Sequence, residues 1–148
     1  MIETERLHLR RLALDDAGFV LGLLNQPSWL RFIGDKNVHT LDDARRYLEQ
    51  GPMASYQRNG FGLYLTALKT KATPLGICGL IKRDSLQDVD IGFAFLPEFC
   101  GQGYAFEAAA AVLHYGRHTL GLRRIVAITS PDNQHSIRLL QKLGLKFE

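Results

Sequence analysis

The residues best suited to chemistry fall in two short stretches. The first, Cys100-Gly101-Gln102-Gly103-Tyr104-Ala105, joins a strand-like segment ending near Leu96 to a long apolar run beginning at Tyr104. A turn that passes through glycines into a helix leaves the first N–H groups without intrahelical partners. Backed by the helix dipole, they converge on one point and suit a phosphate or diphosphate, which glycine lets approach closely. A Gly-x-Gly also makes a plain tight turn that only caps a helix, and alone it does not separate the two. Two familiar phosphate loops are excluded. A Walker loop needs Lys-Ser/Thr after its last glycine, where Tyr104 and Ala105 stand. A dinucleotide fingerprint needs a small residue at Phe106 and an acid about 20 residues on, where Val126 and its neighbours are apolar.

The second stretch is Ser130-Pro131-Asp132-Asn133-Gln134-His135-Ser136, leading into a helical pattern that ends at Gly144. Asn133 and Ser136 in isolation are ordinary helix-cap residues. Other reactive types lack partners in the sequence. His114 and His118 are four apart on one helix face, but no HExxH pattern or third ligand accompanies them, so no metal is expected. Cys78 and Cys100 form no CxxC and read as free thiols, which fits a reducing cytoplasm.

The elements that must position these residues follow from periodicity. Leu7 and Leu9 alternate with His8 and Arg10 in an opening strand, and Asp15-Asp16 start a helix through Phe19, Val20, Leu23 and Leu24 up to Pro27. Pro27 to Thr40 reads as a loop with Trp29 and Phe32 as apolar anchors that could line an acceptor pocket. Thr40 caps a second helix, with Gly51-Pro52 as its stop. Three strands follow, Phe61–Leu68, Leu75–Ile81 and Val89–Leu96, joined by polar turns that include Asp84-Ser85, and they predict an antiparallel meander. A helix from Tyr104 to Leu120 with Gly121 as its left-handed cap, a strand from Arg124 to Thr129 and a last helix opened by Asn133 or Ser136 complete the order.

A chain of 148 residues, 46% of them hydrophobic, buries roughly two thirds of its unfolded surface, enough for one domain over residues 1–148 without a metal or disulfide. The net charge of +3 is spread out, and the basic residues cluster only as pairs such as Arg45-Arg46 and Arg123-Arg124. That favours a small anionic ligand over a nucleic acid. No run approaches the about 18 apolar residues of a membrane span, and the charged start of the chain lacks a signal-peptide core.

Taken together, the motifs resemble those of the GCN5-related N-acetyltransferase (GNAT) superfamily, and within it the ribosomal-protein alanine acetyltransferase (RimJ/RimL-like) branch. The resemblance spans nearly the whole chain. It rests on Glu3-Thr4-Glu5-Arg6-Leu7-His8-Leu9-Arg10, Leu75-Gly76-Ile77-Cys78-Gly79-Leu80, Ile91-Gly92-Phe93 with Leu96-Pro97, Gly101-Gln102-Gly103-Tyr104-Ala105, Glu107-Ala108 and the block from Asn133 to Gly144. It implies an α+β fold, a three-layer α/β/α domain with a central mixed, mostly antiparallel sheet flanked by helices. Chains of the branch continue beyond the place of Phe147-Glu148, so the last C-terminal strand or strands are expected to be missing, and another subunit could cover the open edge.

The resemblance further implies that acetyl-CoA is the cosubstrate. Its pyrophosphate would lie in the turn from Cys100 to Ala105, its pantetheine arm would pair with the strand edge at Phe95 and Leu96, Asn133 would contact the coenzyme and Ser136 would lie near its sulfur. The superfamily usually has Arg or Gln at the place of Cys100 and the branch often an aromatic, a loss that matters little where backbone donors do most of the binding. An amine would attack the thioester directly. A lysine amine must give up its proton at a cost of about 4 to 5 kcal/mol at pH 7, an α-amine at about 1. The branch points to a protein N-terminal α-amine as acceptor, a small amine such as an antibiotic or polyamine being the alternative. Asp90, where relatives often carry a strand carboxylate, is the candidate base through water, unless it is an exposed strand-end charge. Ser136 would protonate the thiolate, and a backbone N–H near Phe95 would stabilise the oxyanion. Tyr104 is more readily a packing residue of the turn than an acid. Arg138 and Lys142 either reach the adenosine 3'-phosphate or form a solvated helix face. A coenzyme-binding module without catalysis and, on charge alone, a nucleotide- or RNA-binding domain are the rival readings. A monomer or homodimer is expected.

Overall fold

A computed structural model describes residues 2–32, 36–83, 87–129 and 132–145, with Ser28 and Phe32 described in their backbone only. Among them run six strands: β1 (Ile2–Glu3), β2 (Leu7–Arg11), β3 (Leu63–Leu68), β4 (Pro74–Ile81), β5 (Val89–Phe95) and β6 (Ile125–Val126). They form one sheet in the order β1-β2-β3-β4-β5-β6. All neighbours are antiparallel except β5 and β6, which are parallel. The expected meander is β3-β4-β5, and the α+β fold with a mixed, mostly antiparallel sheet is as the sequence predicts.

Alternation along the strands feeds two cores. Leu7, Leu9, Tyr64, Leu80 and Ile91 face helix α5 (Tyr104–His118), which contributes Ala108, Val112 and Leu113. Leu65 and Ile77 face the opposite way, onto α1 (Ala17–Leu24) and α3 (Leu41–Leu48), which bring Val20, Leu23, Ala44 and Leu48. Helix α6 (Gln134–Lys142) adds Leu140 on the α5 side.

Two helical features depart from the sequence reading. Pro27 does not break the chain but begins a short helix, α2 (Pro27–Phe32), where the missing N–H costs nothing because the first turn leaves it unpaired in any case. Thr40 does cap α3, its hydroxyl accepting the Asp43 N–H at 3.1 Å. Gly51-Pro52, however, does not stop that helix. A π-helical turn, Glu49–Met53, absorbs Pro52, and the path continues into α4 (Ala54–Asn59) until Gly60, at φ +79, ends it. The long helix closes at His118, and Gly121 adopts the left-handed conformation expected of it, at φ +71.

The strand read from Arg124 to Thr129 is only two residues long and half-buried. Its ladder with β5 consists of Val89 opposite Ile125 and Asp90 opposite Val126, supported by an Arg124 to Asp88 ion pair at 3.0 Å. Beyond Asp90 the two strands diverge. From Ile91 to Phe95 the β6-facing edge of β5 therefore has no strand partner among the described residues. Phe147-Glu148, Asp84-Ser85 and Ser130-Pro131 lie outside the described residues. No helix among those described is long and apolar enough to cross a membrane.

Candidate active site

The divergence of β5 and β6 opens a cavity of about 440 Å³. Ile91, Gly92 and Phe93 line it from β5, Ala127, Ile128 and Thr129 from the segment after β6, and Asn133, Ser136 and Leu140 from the start and face of α6. Trp29 from α2, Tyr47 from α3, and Ser55 and Arg58 from α4 close its other side. The fold thus gathers Asp90, Asn133 and Ser136, three residues singled out in the sequence, around one space.

Asp90 is not an exposed strand-end charge. Its neighbours Val89 and Ile91 point into the α5 core, so alternation sends it to the opposite face, where it is 1% exposed. Arg83, two residues beyond the end of β4, meets it with Nε at 3.1 Å from Oδ1 and 3.3 Å from Oδ2. Burial raises the Asp90 pKa above the ordinary aspartate value, and the Arg83 guanidinium offsets this only in part. A carboxylate held in this way is a better proton acceptor than an exposed one.

Asn133 is the helix cap its residue type predicts: Oδ1 accepts the Ser136 N–H at 3.3 Å. Its side-chain amide group is not used in that bond. Ser136 receives the cap at its backbone, so its half-buried hydroxyl has no part in it.

Phe95 and Leu96 differ in what they offer. The Leu96 N–H donates to the Leu75 carbonyl at 2.9 Å, and the Leu96 carbonyl accepts the Phe99 N–H at 3.0 Å. Those groups are therefore taken. In a strand, successive residues turn their backbone groups to opposite sides, so the groups of Phe95 and Phe93 face the open edge.

The turn after β5 is built as an anion cradle. A 3-10 turn, Pro97–Phe99, leads through Cys100 into Gly101 at φ +79 and Gly103 at φ +82, the latter being the N-cap of α5. Only glycine takes these conformations readily. None of the N–H groups from Gly101 to Phe106 donates to another group among the described residues, while the Glu107 N–H closes the first helical bond on the Gly103 carbonyl at 3.0 Å. A side chain built at Gly101 would meet nothing within 4 Å, so that side of the turn is open. Exposed, unpartnered and converging donors on a helix of 15 residues fit a diphosphate. Gln102 folds back to donate its side-chain amide to the Glu98 carbonyl at 3.2 Å, and Cys100 is an exposed free thiol that donates weakly to the Leu96 carbonyl. Tyr104 packs under the Arg6 guanidinium, 4.4 Å from ring centroid to Cζ, which is the packing use expected of it.

Several lining residues have no signal in the sequence. Arg83 becomes legible only once the β4 to β5 register, Ile81 opposite Asp90, is known. Tyr47, Ser55 and Arg58 reach the cavity because the helix continues past Pro52. Trp29, which the sequence does mark as an apolar anchor, lines the cavity; it is 6% exposed and its indole N–H finds no hydrogen-bond partner among the described residues. The Phe32 side chain lies outside the described residues. His114 and His118 stack at 4.2 Å between ring centroids on an exposed face of α5, and Lys142 lies over Phe106 at 5.3 Å. Cys78 is buried, with its thiol pushed far above the ordinary range.

Comparison with known proteins agrees with this architecture. Residues 6–146 match the acetyltransferase (GNAT) domain family. The chain is 28% identical to the uncharacterized N-acetyltransferase YoaA of Bacillus subtilis (strain 168), covering 100% of this chain and 84% of the relative. Its fold superposes on a GNAT-family acetyltransferase from Bacillus anthracis with a TM-score of 0.82 at 28% identity, covering 99% of this chain and 84% of that one. It also superposes on RimL, a ribosomal L7/L12 alpha-N-protein acetyltransferase solved in complex with coenzyme A, with a TM-score of 0.84 at 19% identity, covering 98% and 82%. With the open strand edge, the glycine turn and the family match in agreement, the chain belongs to the GNAT family and is an acetyltransferase.

Proposed function

We propose that this enzyme transfers acetyl from acetyl-CoA to the N-terminal α-amine of a protein, by direct attack within a ternary complex, as in the RimJ/RimL-like branch. The turn from Gly101 to Ala105 holds the diphosphate through backbone N–H groups, and the exposed edge at Phe93 and Phe95 takes the pantetheine arm as an added strand would be taken. Asn133 and Ser136 stand beside that path. Two free thiols, one of them buried, fit the cytoplasmic setting expected from the sequence.

The observation that carries the acceptor is the donor surplus of the cavity. Its described lining holds Lys36, Arg58, Lys82 and Arg83 against one carboxylate, Asp90, which Arg83 already occupies. The Trp29 N–H, unpartnered among the described residues, adds a buried donor. A polyamine brings only cations and donors to such a lining. An α-amine brings an adjacent carbonyl, which can accept those donors, and the cost of leaving a buried donor unsatisfied, about 1–3 kcal/mol, is removed on binding. Its ordinary pKa of about 7.7–8.0 also asks little of the base.

In the reaction the amine nitrogen bonds to the thioester carbon as its proton passes through water to Asp90. The oxyanion meets backbone N–H groups at the β5 edge, the C–S bond breaks, and the thiolate takes the Ser136 hydroxyl proton, which solvent restores. Holding the two reactants together supplies much of the rate.

The test is a comparison of kcat/KM, with acetyl-CoA saturating, for a peptide with a free N-terminus, the same peptide Nα-blocked with a free lysine, and spermidine. A preference of about tenfold or more for the free N-terminus is expected. Equal or better use of the blocked peptide or of spermidine would overturn the acceptor assignment. Coenzyme binding without turnover of any amine would favour a binding module.

A further inference from the structure

The reaction above makes no use of the motif at the start of the chain, yet Thr4 and Arg6 reach across 103 and 101 residues of sequence to a single acid, Glu107, in the first turn of α5. The Thr4 hydroxyl donates to Oε2, the Arg6 N–H donates to the same oxygen at 2.9 Å, and Arg6 Nε donates to Oε1 at 2.7 Å. The guanidinium then has one more bond: Nη1 donates to the Gln102 carbonyl at 3.1 Å. Its face rests on the Tyr104 ring.

That last bond falls inside the glycine turn. The Gln102–Gly103 peptide is trans, so its carbonyl and its N–H point in opposite directions. With the carbonyl drawn to Arg6, the Gly103 N–H is turned away from Arg6 and left free for a ligand. Glycine's tolerance of either sign of φ, which lets the turn form, also lets this peptide rotate when nothing holds it. Glu107 would by itself be a poor neighbour for an anion. Spent on Thr4 and Arg6, it anchors the clamp, and those contacts keep its carboxyl below the ordinary glutamate range.

We propose that Arg6, anchored by Glu107, is a positioning residue for coenzyme binding, which locks the Gln102–Gly103 peptide with its N–H toward the diphosphate. This rests on reading the turn as the diphosphate site. The rival role for Arg6 is direct charge attraction to the phosphate, for its Nη2 lies 3.3 Å from where a Gly103 side chain would begin.

The experiment measures kcat/KM for acetyl-CoA and for S-acetylpantetheine, which carries the thioester and arm but neither the diphosphate nor the adenosine 3'-phosphate. Their ratio therefore reads the nucleotide end of the coenzyme, and the Gly103→Asp variant assigns the turn's share of it. Arg6→Lys keeps the charge but replaces with one nitrogen the planar fork whose Nε and Nη1 bond Glu107 and the Gln102 carbonyl separately, and Glu107→Gln removes a negative charge beside the site. Positioning predicts that both lower the ratio about tenfold while S-acetylpantetheine turnover is unchanged. Direct attraction predicts that Arg6→Lys keeps the ratio and Glu107→Gln raises it, and either result overturns the proposal. Thr4→Val, which loosens the anchor and gives up the bond that the Thr4 hydroxyl accepts from the Leu7 N–H at 3.0 Å, replaces a variant that fails to fold and must lower the ratio in the same sense. Gly103→Asp separates the two levels. An unchanged ratio there removes the diphosphate reading and this inference with it, whereas a collapsed ratio there beside unchanged Arg6 and Glu107 variants removes the inference alone.

Discussion

Asp90 combines two properties that seldom serve stability: it is buried, and its pKa is raised by that burial. A carboxyl whose folded pKa lies above its unfolded value contributes stability that is fully present below the ordinary aspartate pKa and is lost as pH rises through the raised value. At neutral pH the ionised group is therefore a liability that Arg83 only partly offsets. Asp90→Asn is expected to lower kcat by about 100-fold, to leave acetyl-CoA affinity unchanged, and to unfold at the same temperature or higher. Arg83, with 45% of its side chain exposed, can turn its charge to water when the carboxylate is gone. Loss of both activity and thermal stability would make Asp90 a structural ion-pair residue and remove it from the reaction. The sequence marks Asp90 only through its place in a family-like strand. Its burial depends on the alternation of β5 and on a cavity that no local pattern encodes.

At the scale of elements, the meander was readable because its strands alternate and its turns are polar, and α5 because a long apolar run begins after glycines. The misread elements share a cause: breaker residues act by position. Pro27 heads a helix, and Pro52 is absorbed by a wide helical turn, so residues that usually end a helix here begin or extend one. The strand read to Thr129 was too long because apolar residues leaving a sheet to line a cavity look the same as residues staying in it. Strand β4 explains its own glycines. A side chain added at Gly79 would start 2.1 Å from the Gly62 carbonyl oxygen, and one at Gly76 would start 2.2 Å from that of Ala94, both backbone atoms that cannot move alone. Gly79→Ala should cost about 3 kcal/mol or more, since the neighbouring strand must shift. In a chain of this length thermal unfolding should move down by about 6–12 °C. A change within about 2 °C would show that β3 and β4 yield more easily than their pairing implies.

For the molecule as a whole, the two cores lie on either side of the sheet with Met53 packed against both, and the cavity opens where β5 and β6 diverge. A ligand lying along the open edge, with its diphosphate at α5 and its thioester near α6, would tie these parts together. Acetyl-CoA at 100 times its dissociation constant should stabilise the fold by about 2.7 kcal/mol, and ATP or NAD at the same concentration by much less. A melting temperature unmoved by acetyl-CoA, or moved equally by all three, would remove it as the cosubstrate. The glycine turn and the Asn133 to Ser136 block were legible as separate motifs, and the resemblance joined them. Of the opposite wall the sequence marks Trp29 alone; Tyr47, Ser55 and Arg58 were not legible, because they come from helices about 40 to 90 residues earlier in the chain.

The bond from Arg6 to Glu107 closes a loop of about a hundred residues. Loop closure of that length is costly in entropy, and its contacts are rewarded late, after hairpins such as β3-β4 have formed locally. During refolding the meander can therefore assemble while the glycine turn is still unclamped. The chain should regain its spectroscopic signature before it regains its grip on coenzyme, because the segment between β1 and β2 must still dock on α5.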